Sequence, residues 1–175
     1  MFTKERLYEL FPVKRDIIYF NNAAVAPISS RVAKAGRQFL DQYEDSGYFR
    51  AALWHKRYDE VRKLFAKLIY AEPGEIAFVK NTSEGIFNIA SGIRWKEDDN
   101  VVIPDSEFPA NVYPWMNLSR HGVKVKRMHT HEGHFAVSDL EAVVDEQTRC
   151  ISVSSVNFGT GFRCDLQAIG EFCKM

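Results

Sequence analysis

The chain has 175 residues and carries 23 basic and 23 acidic side chains, so its formal net charge is zero and its composition predicts no basic surface for nucleic acid or an anionic membrane. Hydrophobic residues make up 46% of the sequence, which is enough for a globular core. Charges interrupt residues 1–16, so we expect neither a signal peptide nor a membrane span and predict a cytoplasmic protein. Cys150, Cys164 and Cys173 have no paired short spacing and are predicted to be reduced thiols.

Two helices are predicted in the first part of the chain. Residues 17–20 form a short apolar run that predicts a strand ending in a turn. Ser29 or Ser30 is the expected cap of the first helix, which ends near Gly47. A second helix is predicted over residues 51–69, and we expect its apolar stripe to pack in the core.

A strand-to-helix turn follows. Residues 76–79 predict a buried strand, and the apolar residues after Gly85 recur at helical spacing. Asn81 is the expected cap of this helix, with Glu84 reaching back to the N–H group of the cap. The free N–H groups and hydroxyls of Thr82 and Ser83, at the positive end of the helix dipole, favour a phosphate or carboxylate. A capped helix with no ligand explains the same residues.

The remainder of the chain alternates strands and helices. Strands are predicted over residues 101–103, 123–128 and 150–156, with a short helix over residues 138–144 capped by Ser138 or Asp139. Short apolar strands separated by helices favour a mainly parallel, three-layer α/β fold. Asp165 is the expected cap of a last helix that has no stop signal before residue 175, so we expect the chain to be part of a larger α/β domain.

Three motifs in order resemble one family, the class V group of pyridoxal-phosphate enzymes. They are residues 18–24 (IYFNNAA), 81–85 (NTSEG) and 106–115 (SEFPANVYPW). This group includes cysteine desulfurases, selenocysteine lyases, isopenicillin-N-epimerase-like proteins and kynureninases. The resemblance implies the first half of the large domain of a fold type I pyridoxal-phosphate enzyme. It implies an N-terminal strand and helix arm over residues 1–50 and an incomplete cofactor-binding domain over residues 51–175.

The resemblance also implies roles for individual residues. Thr82 and Ser83 are expected to bind the cofactor phosphate, and Phe108 to stack on the pyridine ring. Many family members carry histidine where this chain has Phe108, and phenylalanine cannot move a proton, so this position favours the epimerase-like and kynureninase-like branches. From its residue type alone, Phe108 could equally be a core aromatic beside Pro109.

Three further sites are implied in the same way. Asn157 is expected to contact the phenolic oxygen of the cofactor, although an ungapped match places Phe158 there. Asn22 and Ala23 are expected near the substrate. Arg163 is expected to meet a substrate carboxylate, with an exposed turn position or a pairing with Asp165 as the alternative.

The family's Schiff-base lysine and the aspartate that pairs with the pyridinium nitrogen follow a later strand, and neither is found within these 175 residues. We therefore expect no catalytic residue here and an N-terminal portion that is inactive by itself. The full-length family acts on an amino acid and implies a homo-oligomer. The alternative is a non-catalytic binding or assembly domain that retains the fold.

A histidine cluster offers a different interpretation. His129, His131 and His134 could hold a zinc or nickel ion, with His121 or Glu132 as further ligands. Gly133 instead favours a surface turn, and we predict no metal site.

Overall fold

The chain divides into two compact units, Met1–Ala77 and Phe78–Met175. The structure is a computed structural model that describes residues 3–22 and 25–174. Described residues of the first unit form helices and turns, and those of the second unit form a parallel sheet with helices. The boundary predicted at residue 50 separates an N-terminal arm from a cofactor-binding domain according to their roles in the family. The division at residue 77 is one of compactness and does not test that boundary, which stays a prediction.

The first unit contains three α-helices: α1 (Lys4–Leu10), α2 (Ser30–Ser46) and α3 (Ala51–Ile69). The Ser29 side chain accepts a hydrogen bond from the Val32 N–H group, which confirms the predicted start of α2. The predicted bounds of α3 are also confirmed. Helix α1 was not predicted from its charged sequence, and Thr3 caps it by accepting from the Arg6 N–H group.

The apolar stripe of α3 is not packed in a core, and this prediction is wrong for the described chain. Leu64 is 65% exposed, and the other large apolar side chains of α2 and α3 are similarly open. Edge-on and tilted ring contacts of Trp54 with Phe39 and Tyr43 join the two helices on one side only. The exposed members are Val32, Phe39, Leu40 and Tyr43 on α2 and Leu53, Tyr58, Leu64, Phe65 and Leu68 on α3.

The second unit is built on three parallel strands: β1 (Asn100–Pro104), β2 (Lys124–Met128) and β3 (Thr148–Ile151), in the order β2-β1-β3. Pro104 faces Met128 across the first pair, and Val102 faces Ile151 across the second. The strands predicted over residues 101–103 and 123–128 are confirmed, whereas β3 shares only residues 150–151 with the strand predicted over residues 150–156. The helices are α4 (Thr82–Gly92), α5 (Tyr113–Met116), α6 (Val137–Glu141) and α7 (Leu166–Phe172).

Two predicted strands are absent from the described residues. Residues 17–20 and 76–79 pair with no other strand there, although Ile76 has extended backbone angles (φ −98°, ψ 119°). A strand needs a neighbour that accepts and donates its backbone hydrogen bonds, and an apolar run cannot supply that neighbour. Ile18 and Phe20 remain exposed for the same reason.

Each face of the sheet has its own apolar core, because successive β1 side chains point to opposite faces. Val101 and Ile103 pack with Ala90 of α4 and Trp115 of α5. Val102 packs on the other face with the α6 and α7 side, in a cluster that contains Met128, Leu140, Cys164 and Ile169. The predicted three-layer α/β architecture is therefore confirmed.

A polar cluster closes the amino end of the sheet. The buried Asn100 donates to Asp145 Oδ1 (2.8 Å), and the Thr148 hydroxyl donates to Asn100 Oδ1 (2.8 Å). Lys126 adds an ion pair to Asp145. These hydrogen bonds, from Lys126 first, then Asn100 and Thr148, hold the pKa of Asp145 well below its usual value.

Helix α6 begins differently from the prediction. Its cap is Ala136 rather than Ser138 or Asp139, and the Asp139 carboxylate accepts a hydrogen bond from the Ala136 N–H group (2.7 Å). An acidic residue at the third helical position can thus accept the N–H group of the cap residue, even where that residue has no side-chain acceptor of its own. Among the described helices, none combines the length and apolar character needed to cross a membrane.

Candidate functional site

The start of α4 exposes backbone donors and hydroxyls as predicted. Asn81 Oδ1 accepts from the Glu84 N–H group (2.9 Å), and the Asn81 carbonyl accepts from the Gly85 N–H group (3.1 Å). The preceding N–H groups, those of Thr82 and Ser83, are the ones that a helix cannot satisfy internally. Both residues are exposed. The turn therefore presents two N–H groups and two hydroxyls at the positive end of an 11-residue helix.

The carboxylate of Glu84 binds one residue earlier than expected. It accepts a hydrogen bond from the Lys80 N–H group, not from the N–H group of Asn81. This contact turns the acid back toward the segment that precedes the helix.

Polar residues after the three parallel strands lie at the same edge of the sheet, since parallel strands share a direction. Ser106 and Glu107 follow β1, Thr130 follows β2, and Ser154 follows β3. The Ser154 N–H group and hydroxyl donate to Glu107 Oε1 and Oε2 (2.6 and 2.7 Å). Oxygen Oε2 also accepts from the Phe108 N–H group (3.3 Å).

Asp105 links β1 to the end of β2. It accepts from the hydroxyl and the N–H group of Thr130 (2.6 and 3.1 Å), and His129 Nδ1 lies 2.8 Å from its other oxygen. Partial burial raises the pKa of Asp105, but the hydrogen bonds from Thr130 and His129 outweigh it and hold the pKa below its usual value. Asp105 is thus a carboxylate that fixes two strand ends.

Asn157 organises the turn after β3. Its Oδ1 accepts from the N–H groups of Gly159 and Thr160 (2.9 and 3.0 Å). Its Nδ2 donates to the carbonyl and hydroxyl oxygens of Ser106 (3.1 and 3.3 Å). The adjacent Phe158 meets the ring of Phe108 edge-on, with centroids 5.1 Å apart and planes at 74°.

The turn that contains His131 and His134 lies beside the turn at Asn157. His131 and His134 pair through their backbones around Gly133, whose φ of +79° favours glycine. A Cβ atom on Gly133 would lie 2.9 Å from the Thr160 side chain, so this turn closely approaches the turn at Asn157. His134 stacks on Phe162 (4.5 Å). Within residues 3–22 and 25–174, no three His, Cys, Asp or Glu side chains converge as a metal site would require.

The thiols of Cys150 and Cys164 are poor sources of a reactive thiolate. Burial raises the pKa of the Cys150 and Cys164 thiols, so both are protonated at neutral pH and weak as nucleophiles. The Cys164 thiol lies 3.4 Å from the Ser154 carbonyl oxygen on the covered face of the sheet. All three cysteines are free, as predicted.

The aminotransferase class-V family profile matches residues 18–175, which is most of the chain and includes every residue of this edge. The chain belongs to the class-V aminotransferase family. It is 32% identical over 167 residues to a "Probable cysteine desulfurase" of Methanothermobacter thermautotrophicus, covering 91% of this chain and 41% of that protein. The chain thus spans about two fifths of the length of the curated relatives it matches.

Solved structures of this family share the fold. The apo cysteine desulfurase of Thermococcus onnurineus superimposes with a TM-score of 0.84 at 27% identity, covering 99% of this chain and 45% of that one. A C-DES mutant with glycine covalently linked to its pyridoxal-phosphate cofactor gives a TM-score of 0.86 at 20% identity, covering 95% and 45%. At that identity the second match supports the fold alone.

The predicted site residues fall into both units. Thr82, Ser83, Phe108, Asn157 and Arg163 belong to the second unit. Asn22 belongs to the first unit, in an exposed turn where its N–H group donates to the Phe20 carbonyl (2.7 Å). Ala23 lies outside the described residues.

The structure separates some of the alternatives for these residues. Phe108 is 48% exposed, so its interpretation as a core aromatic is wrong. Asp165 Oδ1 accepts from the Ala168 N–H group (3.0 Å), which confirms it as the cap of α7, while the neighbouring Arg163 is exposed. The ligand contacts of Thr82, Ser83, Phe108, Asn157, Asn22 and Arg163 stay predictions.

Sequence reasoning missed the residues that assemble this edge. Asp105 binds Thr130, and Glu107 binds Ser154, which is 47 positions later in the sequence. One signal was available for Asp105, Glu107 and Thr130, because they follow predicted strands of a parallel sheet, whereas Ser154 lay inside the strand predicted over residues 150–156. Which of these residues bind each other could be identified only from the fold.

The described residues fit the phosphate and ring of pyridoxal phosphate. Exposed donors at the start of α4 suit a phosphate, and the half-exposed Phe108 offers the face of an aromatic ring. Both belong to the second unit, in which α4 packs against the turn Pro109–Asn111 that follows Phe108.

Proposed function

We propose that this chain is the N-terminal, phosphate-holding portion of a pyridoxal-phosphate-dependent enzyme that acts on an amino acid. The reaction is that of a desulfurase or lyase, an epimerase or a transaminase. The observation that carries the proposal is the exposed Thr82–Ser83 start of α4, a helix that packs against the turn after Phe108. Relatives named as cysteine desulfurases support the same class.

Each residue has a defined part in this proposal. Thr82 and Ser83 bind the phosphate through N–H groups and hydroxyls, and Phe108 holds the plane of the ring. Asn157 is assigned to the phenolic oxygen, which its Nδ2 group would meet by giving up the 3.3 Å contact with the Ser106 hydroxyl. By resemblance to the family, Asn22 and Ala23 are assigned to substrate binding, and Arg163 is assigned to a substrate carboxylate. When bound, the cofactor supplies the electron sink for bond breaking at the α-carbon.

We also propose that these 175 residues do not catalyse the reaction alone. The family's lysine and aspartate lie in a later segment than the one this chain spans, and the assembled enzyme is a cytoplasmic homodimer. Borohydride reduction after addition of pyridoxal phosphate is expected to leave no stoichiometric pyridoxyl group on any lysine of this chain. A single, fully labelled lysine in the peptide map would contradict this part of the proposal.

Phosphate binding is tested by titrating the chain with pyridoxal phosphate and following tryptophan fluorescence. We expect Ser83→Ala to raise the Kd about tenfold, because a hydrogen bond to a charged group contributes about 1.5–3 kcal/mol. Inorganic phosphate should compete. Ser91→Ala, an exposed serine at the other end of α4, is the matched control. Equal Kd values for both variants and wild type would refute the phosphate site.

One observation favours the alternative of a non-catalytic binding or assembly domain: both faces of the three-stranded sheet already have a closed core. Such a domain would melt cooperatively as a monodisperse product without pyridoxal phosphate. It would also show no change in melting temperature when the cofactor is added, whereas a specific ligand raises that temperature.

A further inference from the structure

The carboxylate of Glu107 is the link between the segment after β1 and the segment after β3. Oε1 accepts the Ser154 N–H group at 2.6 Å, and Oε2 accepts the Ser154 hydroxyl at 2.7 Å and the Phe108 N–H group at 3.3 Å. Each carboxylate oxygen thus serves one backbone N–H group. Bonds of this kind to an ionised acceptor are short and about twice as strong as neutral ones.

A second link joins the same two segments. Asn157 Nδ2 donates to the Ser106 carbonyl at 3.1 Å, and the Ser106 hydroxyl lies 3.1 Å from that of Thr130 after β2. The residue before Glu107 is therefore also held. Phe108 is the first residue of this segment whose side chain takes no part in these hydrogen bonds, and it is 48% exposed.

The ring of Phe108 meets one other aromatic ring among its described contacts. Phe158 lies edge-on to it, at 74° between planes, and is itself 60% exposed. Edge-to-face pairs have a preferred geometry, so this contact restricts rotation of the Phe108 ring. Glu107 fixes the backbone of Phe108, and Phe158 fixes its ring.

We propose that Glu107 is a positioning residue for Phe108, and that Phe158 restricts the orientation of the Phe108 ring. This inference rests on the proposed function, in which Phe108 stacks on the pyridine ring of the cofactor. The carboxylate binds no ligand in this arrangement. It holds a half-exposed aromatic ring in one plane before the cofactor arrives, which lowers the ordering cost of binding.

Glu107→Gln tests the link without a large change in volume. A glutamine has one acceptor oxygen and one NH₂ group. Whichever way it is oriented, the NH₂ group faces a backbone N–H donor, either that of Ser154 or that of Phe108. The variant must therefore lose one of the two backbone contacts.

The first readout needs no cofactor. In the wild-type chain with labelled phenylalanine rings, we expect a nuclear Overhauser effect between the rings of Phe108 and Phe158. We expect it to weaken in Glu107→Gln, together with a shift of the Ser154 amide resonance. Glu146→Gln, an exposed glutamate in the turn before β3, is the matched control and should leave both signals unchanged.

The second readout uses pyridoxal phosphate. Glu107→Gln should raise its Kd about fivefold to tenfold, as expected when one side chain must be ordered on binding instead of being held beforehand. It should also reduce the circular dichroism of the cofactor absorption band. Phe158→Leu, which keeps the apolar volume, should reduce the dichroism with at most about a threefold change in Kd, the size expected for one aromatic pair.

The outcomes separate the two proposals. If wild type binds no pyridoxal phosphate but Glu107→Gln still loses the ring contact, the proposed function fails and the positioning role stands. If the ring contact and the Ser154 resonance are unchanged in Glu107→Gln, the positioning role is wrong. Shifts spread through both faces of the sheet, with a lower melting temperature, would show that Glu107 is structural and would also overturn it.

Discussion

The two units of this chain bury their apolar side chains to different degrees. In the second unit, Val101, Val102 and Ile103 are fully buried and belong to cores on both faces of the sheet. Among the described residues of the first unit, the buried hydrophobic side chains are the small ones of Ala51 and Ala66, while large ones such as Leu64 are exposed. Helical periodicity therefore predicts one apolar face but not what covers it.

The largest expected difference between the units is the cost of truncating one apolar side chain in each. Ile103→Ala should lower the free energy of unfolding by about 2–5 kcal/mol, since it leaves a cavity in a closed core. Leu64→Ala, at an exposed position, should change it by only about 0.5 kcal/mol. Urea unfolding followed by circular dichroism measures both, and similar losses would contradict the contrast.

A smaller loss is expected from the polar contact that anchors the segment after β1. The buried Asn111 Oδ1 accepts from Trp115 Nε1 (3.0 Å) and from the Ser152 hydroxyl (2.6 Å). Asn111→Leu leaves these donors without their acceptor and should cost about 1–3 kcal/mol. Trp115 fluorescence should change as well.

Asn117→Leu is the control for this variant, because Asn117 is exposed in the next turn of the same segment. It should keep the stability and the fluorescence of the wild-type chain. Equal effects of the two leucine variants would mean that Asn111 does not anchor the segment, and that the sheet unit depends on its apolar cores alone.

Acid should act on the sheet unit through Asp145. Its folded-state pKa is lowered by Lys126, Asn100 and Thr148, so its stabilising contribution is complete above the unfolded-state pKa of about 3.9 and is lost as the pH falls toward the folded-state pKa. Asp145→Asn should therefore be less stable than wild type at neutral pH, with the gap closing below about pH 4. Thermal melts at several pH values measure this gap. A gap that is constant with pH would contradict the assignment to Asp145.

Local signals account for what the sequence predicted correctly. Ser29, Asn81 and Asp165 each accept a hydrogen bond from a backbone N–H group two or three residues inside the helix that they begin. Such a cap uses residues next to each other in the chain, so it can be recognised without the fold.

The wrong predictions share a physical cause, because each concerns residues whose structure depends on partners far away in the sequence. Residues 17–20 and 76–79 have the composition of strands but, within the described chain, no strand beside them. Phe108 was found through the family motif, whereas Glu107 was not assigned a role, because its partner Ser154 follows a different strand. Pairings between strands depend on topology, which a single sequence specifies only weakly.

The smallest expected effect on stability tests the exposed stripe of the first unit. Leu64→Lys combined with Leu68→Lys should change the free energy of unfolding by only about 0.5 kcal/mol, because both side chains are already in water. The pair should nevertheless reduce concentration-dependent association in sedimentation equilibrium, since it removes exposed apolar surface.

Ala66→Lys is the matched control on the same helix, at a position that is 1% exposed, and should be strongly destabilising. If Leu64→Lys with Leu68→Lys destabilises the chain as much as Ala66→Lys does, the stripe is packed and the contrast between the units disappears. If stability and association are both unchanged, the stripe does not drive self-association, and the proposed homodimer must use another surface.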